Sequence, residues 1–250
     1  MMALELLNNP YSTCSQKVRL TLHEKGLPFT DTRLDFRKKE HLSPEYLKLN
    51  PNGVVPTLLD DGRPVVDSSV IMEYLEERFP EMPLAPADAY GRAQMRAWLR
   101  FLEEVPTTAI RVPSFNRVFV RHSRDLSEED RAENAEIRPL RKHFYQKMGR
   151  DGFDDTEHQA SLDRLRQTVE RMEGALQKHD WLVGDALTLA DFCVVPTIDR
   201  MEDLGLADTW SDLPGVTRWW TAIQKRPAFT ATYASGARLS DIYEDLQRPA

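Results

Sequence analysis

The chain has 250 residues, 41% hydrophobic and 29% charged, with a formal net charge of −7; this suits a globular protein of one large or two small domains and argues against non-specific nucleic-acid binding, which needs a basic surface. No apolar run approaches the ~18 residues of a membrane span, and Met1-Met2-Ala3-Leu4-Glu5 lacks the basic flank and apolar stretch of a signal peptide. Two cysteines in unlike settings, Cys14 and Cys193, make no disulfide framework, so a cytoplasmic protein is expected.

The first 80 residues alternate strand-like and helix-like patterns. Leu4 to Leu7 reads as a strand. Ser15 to Lys25 reads as a helix, stopped by Gly26 at the C-cap with Pro28 just beyond. Phe29 to Leu34 reads as a second strand. Ser43-Pro44-Glu45 starts a short helix, with Ser43 as N-cap and proline at the first helical position, ending near Leu49. Val54 to Leu59 and Pro64 to Val66 flank Asp60-Asp61-Gly62-Arg63, a hairpin signal. Ser68 then caps a helix to about Phe79. The predicted order is βαβαββα.

Three prolines in Phe79-Pro80-Glu81-Met82-Pro83-Leu84-Ala85-Pro86 cannot continue a helix, so residues 81–88 read as a linker. Beyond it, residues 89–250 carry almost no strand pattern. Ala89 to Glu104 is helical, with Met95, Trp98, Leu99 and Leu102 at helical spacing, and Pro106 and Pro113 break or kink the chain beyond it. Residues 123–136 are charged and read as an exposed helix. Glu157 to Lys178 is amphipathic, with Leu162, Leu165, Val169, Met172 and Leu176 on one face. Thr188-Leu189-Ala190-Asp191 is a capping box with Asp for Glu, opening an apolar helix to about Leu204 that should form the buried centre. Trp219, Trp220 and Ile223 mark a last helix before Arg226-Pro227.

The chemistry concentrates in Pro10-Tyr11-Ser12-Thr13-Cys14-Ser15-Gln16-Lys17, where a strand hands over to a helix. A first helical turn has N–H groups without partners and a positive dipole end. Such a site lowers a nearby thiol pKa from about 8.5 by favouring the thiolate. The thiol concerned is either Cys14 or that of a bound small molecule. Cys193, in Phe192-Cys193-Val194-Val195, reads as core. Thr188 and Asp191 read as a cap rather than an acid/base pair. The six histidines and two cysteines have no metal-ligand spacing, so no metal is expected.

Three separated segments together resemble the soluble glutathione transferases: Ser12-Thr13-Cys14-Ser15; Leu49-Asn50-Pro51-Asn52-Gly53-Val54-Val55-Pro56-Thr57-Leu58 with Asp67-Ser68-Ser69; and Gly184-Asp185-x-x-Thr188-x-Ala190-Asp191. The first is similar to the Ser-x-Cys segments of zeta-class and related bacterial enzymes. The resemblance implies an α/β thioredoxin-like N-terminal domain (residues 1–80), an all-α C-terminal domain (residues 89–250) and a homodimer. Glutathione would be co-substrate, and a small electrophile would bind between the domains, beside the helix from Ala89 to about Ile110. The family pattern departs at Val54, often Lys or Gln, and at Asp67, usually Glu or Gln.

The resemblance also implies roles. Ser12 and Ser15 stand where thioredoxin-like folds carry Cys-x-x-Cys, so dithiol exchange is ruled out and the Ser12 hydroxyl would donate to a glutathione thiolate. Cys14 matches the cysteine that resolves a glutathione conjugate in the tetrachlorohydroquinone dehalogenases; a buried structural thiol is the alternative. Val54, Val55 and Pro56 would form a cis-proline segment that pairs with the glutathione backbone. Asp67 and Ser68 would hold its γ-glutamyl end, with N-capping of the helix as a second role that suits both, and His41 its glycine carboxylate, with Lys38 and Lys39 as rivals. Apart from the resemblance, Arg111, Arg117 and Arg121 either flank an acidic or phenolic second substrate or form a solvated basic stretch. The long segment Val112 to Phe153 is similar to that of bacterial β-aryl-etherases and of the dehalogenases, which act on aromatic substrates by thiolate attack. Ser-Thr-Cys-Ser-Gln replaces the zeta-type Ser-Ser-Cys-Trp-Arg, which weighs against maleylacetoacetate isomerisation. Transferase activity leads; glutathione-dependent ether cleavage or reductive dehalogenation through Cys14, and a non-catalytic binding module, are the alternatives.

Overall fold

The structure, a computed structural model, describes residues 3–246. Its first part is a four-stranded sheet in the order β2-β1-β3-β4, built from β1 (Leu4–Asn8), β2 (Thr30–Arg33), β3 (Thr57–Asp60) and β4 (Arg63–Val66). β1 pairs parallel with β2, Leu7 facing Thr32, and antiparallel with β3, Leu7 facing Thr57. The β3–β4 turn is the two residues Asp61 and Gly62, both at positive φ, 50° and 79°. That is the geometry a tight hairpin needs, and it explains the Asp-Gly pair.

Three helices complete this half: α1 (Thr13–Glu24), α2 (Pro44–Leu49) and α3 (Ser68–Arg78). The βαβαββα order is as expected, but two helix starts differ. α1 begins at Thr13 rather than Ser15, with Ser12 as its N-cap. α3 is capped by Asp67 rather than Ser68: Asp67 Oδ1 accepts from the backbone N–H of Ser69 at 3.0 Å and of Val70 at 3.1 Å. Asp67 sits at φ 73°, a conformation that a short polar side chain tolerates better than most. The Val55–Pro56 peptide is cis.

The second part is helical. α4 (Ala89–Glu104) is followed by α5 (Pro106–Ala109), α6 (Arg111–Arg117), α7 (Glu128–Glu136), α8 (Lys142–Lys147), α9 (Asp155–Leu176), α10 (Leu189–Asp203), α11 (Pro214–Gln224) and α12 (Pro227–Thr232). α10 is the buried centre, with every residue from Leu189 to Met201 inside. Its start is the predicted capping box. Asp191 Oδ2 accepts from Thr188 N–H at 2.9 Å and Thr188 Oγ1 at 3.1 Å; Oδ1 accepts from Leu182 N–H and Trp219 Nε1, both at 3.0 Å. Asp191 therefore structures three segments and is buried away from solvent.

One hydrophobic core runs through both parts, joining Leu6, Leu20 and Ile71 to Leu99, Phe192 and Trp219. The joint is α1, packed against α3 on one side and α10 and α12 on the other. Hence Ser15 to Leu22 is buried without a break, polar residues included. Each buried charge there is paired, as burial demands. Lys17 Nζ meets Glu103 at 2.6 Å and Thr107 Oγ1 at 3.0 Å, and Arg19 meets Asp31 at 2.8 Å. Gln16 Nε2 donates to the Ala237 carbonyl at 2.8 Å.

Candidate active site

A cleft of about 490 Å³ opens where the β1–α1 turn faces the helical part. Ser12, Thr13 and Cys14 line it, together with His41, Val54 and Val55 of the sheet part and Ile110 and the start of α6 in the helical part. The predicted Ser12, Cys14, His41, Val54 and Val55 thus meet in one place. Pro56, Asp67 and Ser68 are not among its lining residues, and Ser68 is nearly buried at the start of α3. Cys193 lies in the core, fully buried. The electrophile wall differs from expectation. α4 turns Met95, Leu99 and Leu102 into the core, so it is α6, through Arg111, Ser114 and Phe115, that faces the cleft. Arg117 and Arg121 stand outside the lining, and Arg121 pairs with Asp245 at 2.9 Å.

Ser12 and Ser15 have separated roles. Ser15 is fully buried, and its Oγ accepts from Asn9 N–H at 3.4 Å. Ser12 lines the cleft; its Oγ accepts a long bond from Ser15 N–H, 3.4 Å, which leaves its hydroxyl hydrogen to donate to an anion above the turn. Cys14, two residues on, is half-buried and lines the same cleft. The buried Lys17 lies one turn below it; burial opposes its charge, and the Glu103 carboxylate at 2.6 Å holds it. The positive end of α1 and the Ser12 hydroxyl therefore both favour negative charge on a thiol bound above the turn.

Lys39 and Arg111 line the cleft together with four cations to which the sequence assigns no role: Arg37, Arg138, Arg141 and Arg200. No Asp or Glu lines it, among the described residues. Tyr11, Phe36, Phe119 and Tyr145 supply aromatic walls: Tyr11 meets Phe36 edge-on at 5.7 Å, and Phe115 meets Tyr145 edge-on at 5.6 Å. The Arg138 guanidinium lies 4.2 Å from the Tyr145 ring centre. The dense Arg138-Pro139-Leu140-Arg141 run is the available signal, although nothing in its spacing places it beside the β1–α1 turn.

His41 sits in a single helical turn, edge-on to Phe36 at 4.7 Å, and its buried Nδ1 has no partner. Burial, then the charges of Arg138, Arg141 and Lys39, push it down from 6.5 to about 4. The unfolded chain therefore takes the proton first. Stability from this group is complete above pH 6.5 and is lost as pH falls toward 4. The loss is about 1.4 kcal/mol per unit of separation between the two pKa values, less whatever solvent screens. Between about pH 7 and pH 5 the melting temperature of the parent should fall further than that of His41→Gln. Equal slopes would show that His41 does not titrate in this way.

The comparisons agree with this architecture. The chain matches the glutathione S-transferase N-terminal domain over residues 11–78 and the C-terminal domain over residues 137–227. Protein LigF of Sphingobium sp. (strain NBRC 103272 / SYK-6) is 31% identical over 245 residues, covering 95% of each chain. Glutathione S-transferase TCHQD of Arabidopsis thaliana is 27% identical over 237 residues, covering 90% of this chain and 88% of its own. The crystal structure of beta-etherase LigF from Sphingobium sp. strain SYK-6 superposes with a TM-score of 0.82, covering 92% of this chain and 98% of that one. The chain belongs to the glutathione S-transferase family, the enzymes that use glutathione as co-substrate.

Proposed function

We propose that this enzyme forms the thiolate of glutathione above the β1–α1 turn and directs it at a small aromatic electrophile. The observation that carries this reading is the Ser12 hydroxyl at the start of α1, free to donate into a cleft lined by cations and aromatic rings but by no carboxylate among the described residues. In the bound complex the Val55 backbone pairs with the cysteinyl unit of glutathione, beside the Val54 and Pro56 backbone. His41 meets the glycine carboxylate. Asp67 pairs with the γ-glutamyl ammonium, and Ser68, in the first turn of α3, holds the γ-glutamyl carboxylate. Transfer then needs no metal: the thiol proton leaves to solvent, sulfur bonds to carbon, and the leaving group departs with its electron pair. A thioredoxin-like unit over residues 1–80, a linker over 81–88 and a helical unit over 89–250 are part of the same reading, as are a homodimer and a cytoplasmic location.

Within this class, aryl ether cleavage is favoured by the likeness to beta-etherase LigF along 95% of both chains. The carbon–sulfur bond forms as the carbon–oxygen bond breaks, and an aryloxide leaves among the arginines. The test is incubation of glutathione with the phenacyl ether of 4-nitrophenol. Release of 4-nitrophenolate together with S-phenacylglutathione supports ether cleavage. Turnover confined to aryl halides would place the enzyme among the conjugating transferases. No glutathione-dependent turnover of any electrophile would point to a binding module.

A further inference from the structure

Two of the cleft cations are half-buried without a side-chain partner, whereas Arg37 and Lys39, which also have none among the described residues, are exposed. Arg200 donates to the Tyr11 carbonyl at 2.6 Å, and Arg138 donates to Asn134 Oδ1 at 2.7 Å. The side chains of Arg111 and Arg141 make no hydrogen bond, ion pair or ring contact among the described residues, and Arg141 Nε is buried without an acceptor. Arg111 opens α6 in the helical wall; Arg141 precedes α8 and bridges toward His41. Burial and the neighbouring charge of Arg141 push the Arg111 guanidinium down to about 10, so these two cations repel each other in a confined space. Such an arrangement costs folding energy unless an anion completes it. The glutathione described above lies along Val54, Val55 and His41; Arg141 borders that His41 end, and Arg111, at the start of α6, belongs to the helical part. The open ground beside Arg111 is instead bordered by Tyr145 and Phe115.

We infer that Arg111 and Arg141 form an anion subsite for the second substrate, selecting an aromatic electrophile that carries a carboxylate in its ground state. The planar guanidinium fork matches a carboxylate in two parallel bonds, and Phe115 and Tyr145 take the ring that bears it. The inference rests on the glutathione-transfer reading for turnover, but anion binding itself does not need glutathione.

The test uses a matched pair, 4-chloro-3-nitrobenzoate and 4-chloro-3-nitrobenzamide, with glutathione. In the reaction the carbon–sulfur bond replaces the carbon–chlorine bond, chloride leaves with the electron pair, and the thiol proton goes to solvent. For Arg111→Met and Arg141→Met, kcat/KM for the benzoate should fall by tenfold or more, while that for the benzamide changes less than threefold and the KM for glutathione less than twofold. Arg111→Lys should recover part of the benzoate activity. A parallel arm measures binding of 3-nitrobenzoate and 3-nitrobenzamide by calorimetry without glutathione, with preference for the benzoate in the parent only. That arm stays decisive if neither chloro compound turns over, an outcome that would count against the transfer reading alone. Equal losses on both compounds would overturn the subsite. A rise confined to the KM for glutathione would assign the pair to glutathione's own carboxylate. An effect on aryl ether turnover without any preference in ground-state binding would assign it to the departing aryloxide. Both methionine variants should melt no lower than the parent, since each removes an uncompensated charge.

Discussion

Asp191→Ala is expected to cost about 3–5 kcal/mol of stability, which lowers the folded-to-unfolded ratio roughly a hundred- to several-thousand-fold. The reason is the number of donors left behind. Two backbone N–H groups, one hydroxyl and the Trp219 indole converge on this single carboxylate. Removing it orphans them in a region closed to water, and each unsatisfied buried donor costs about 1–3 kcal/mol, with incomplete additivity. The loss also frays the start of α10, on which α1 and α4 pack. Asp191→Asn keeps one carbonyl oxygen and should lose about half as much. Denaturant unfolding of the three proteins, followed by tryptophan fluorescence, measures this. A loss below about 1 kcal/mol in the alanine variant would show that the four bonds contribute far less than their geometry suggests.

The largest effect on activity is expected from Ser12→Ala. Its hydroxyl caps α1 and lines the cleft beside Thr13, whereas Ser15 is turned inward. Loss of that donor should raise the thiol pKa of bound glutathione by one unit or more, each unit being about 1.4 kcal/mol. Turnover below the thiol pKa should fall about tenfold or further. The cap lost at the same time is a long one, 3.4 Å, so stability should drop by only ~0.5–1 kcal/mol. Cys14→Ser is expected to stay within about threefold of the parent. A dehalogenase-like cycle predicts the reverse, because Cys14 would attack the sulfur of a glutathione conjugate, forming a mixed disulfide and releasing the reduced product. The measurement is a thiolate absorbance titration on each variant, with intact mass after one turnover. A glutathione adduct on Cys14 in the parent, together with an unchanged thiol pKa in Ser12→Ala, would reverse the assignment.

How much of the fold can be read from the residues alone depends on how local each signal is. The Asp61-Gly62 hairpin, the Ser43 cap and the Thr188/Asp191 box are each fixed by residues within four positions, and all appear as expected. The start of α1 lies two residues before its expected place because Ser12, Thr13 and Ser15 can all cap a helix, and only the packing of the turn selects Ser12. Asp67 displaces Ser68 as the α3 cap for a similar reason, through a positive φ that no periodicity reveals. The candidate site divides the same way. Its Ser12–Cys14 and His41, Val54 and Val55 lining lies within the first sixty residues, where spacing is informative. Its other wall depends on which face α4 gives to the core and on where the Arg138–Arg141 turn comes to rest, and both are decided by tertiary packing. Hence the pattern points to α4 at the cleft in place of α6, and it gives Arg141 no role.

The bond from Gln16 to the carbonyl of Ala237 joins residues 221 positions apart. Ribosomes add about 5–20 residues each second, so roughly 10–45 seconds separate the synthesis of these two partners. The sheet and α1 emerge early, yet the flank of α1 that α10 and α12 will cover stays wet for most of that interval; Lys17 waits for Glu103 and Thr107, and Gln16 lacks its distant acceptor to the end. The nascent half-protein thus presents an apolar, partly charged helix to the cell before anything of its own can cover it. For this chain, the hazard of premature association belongs to birth rather than to the finished molecule.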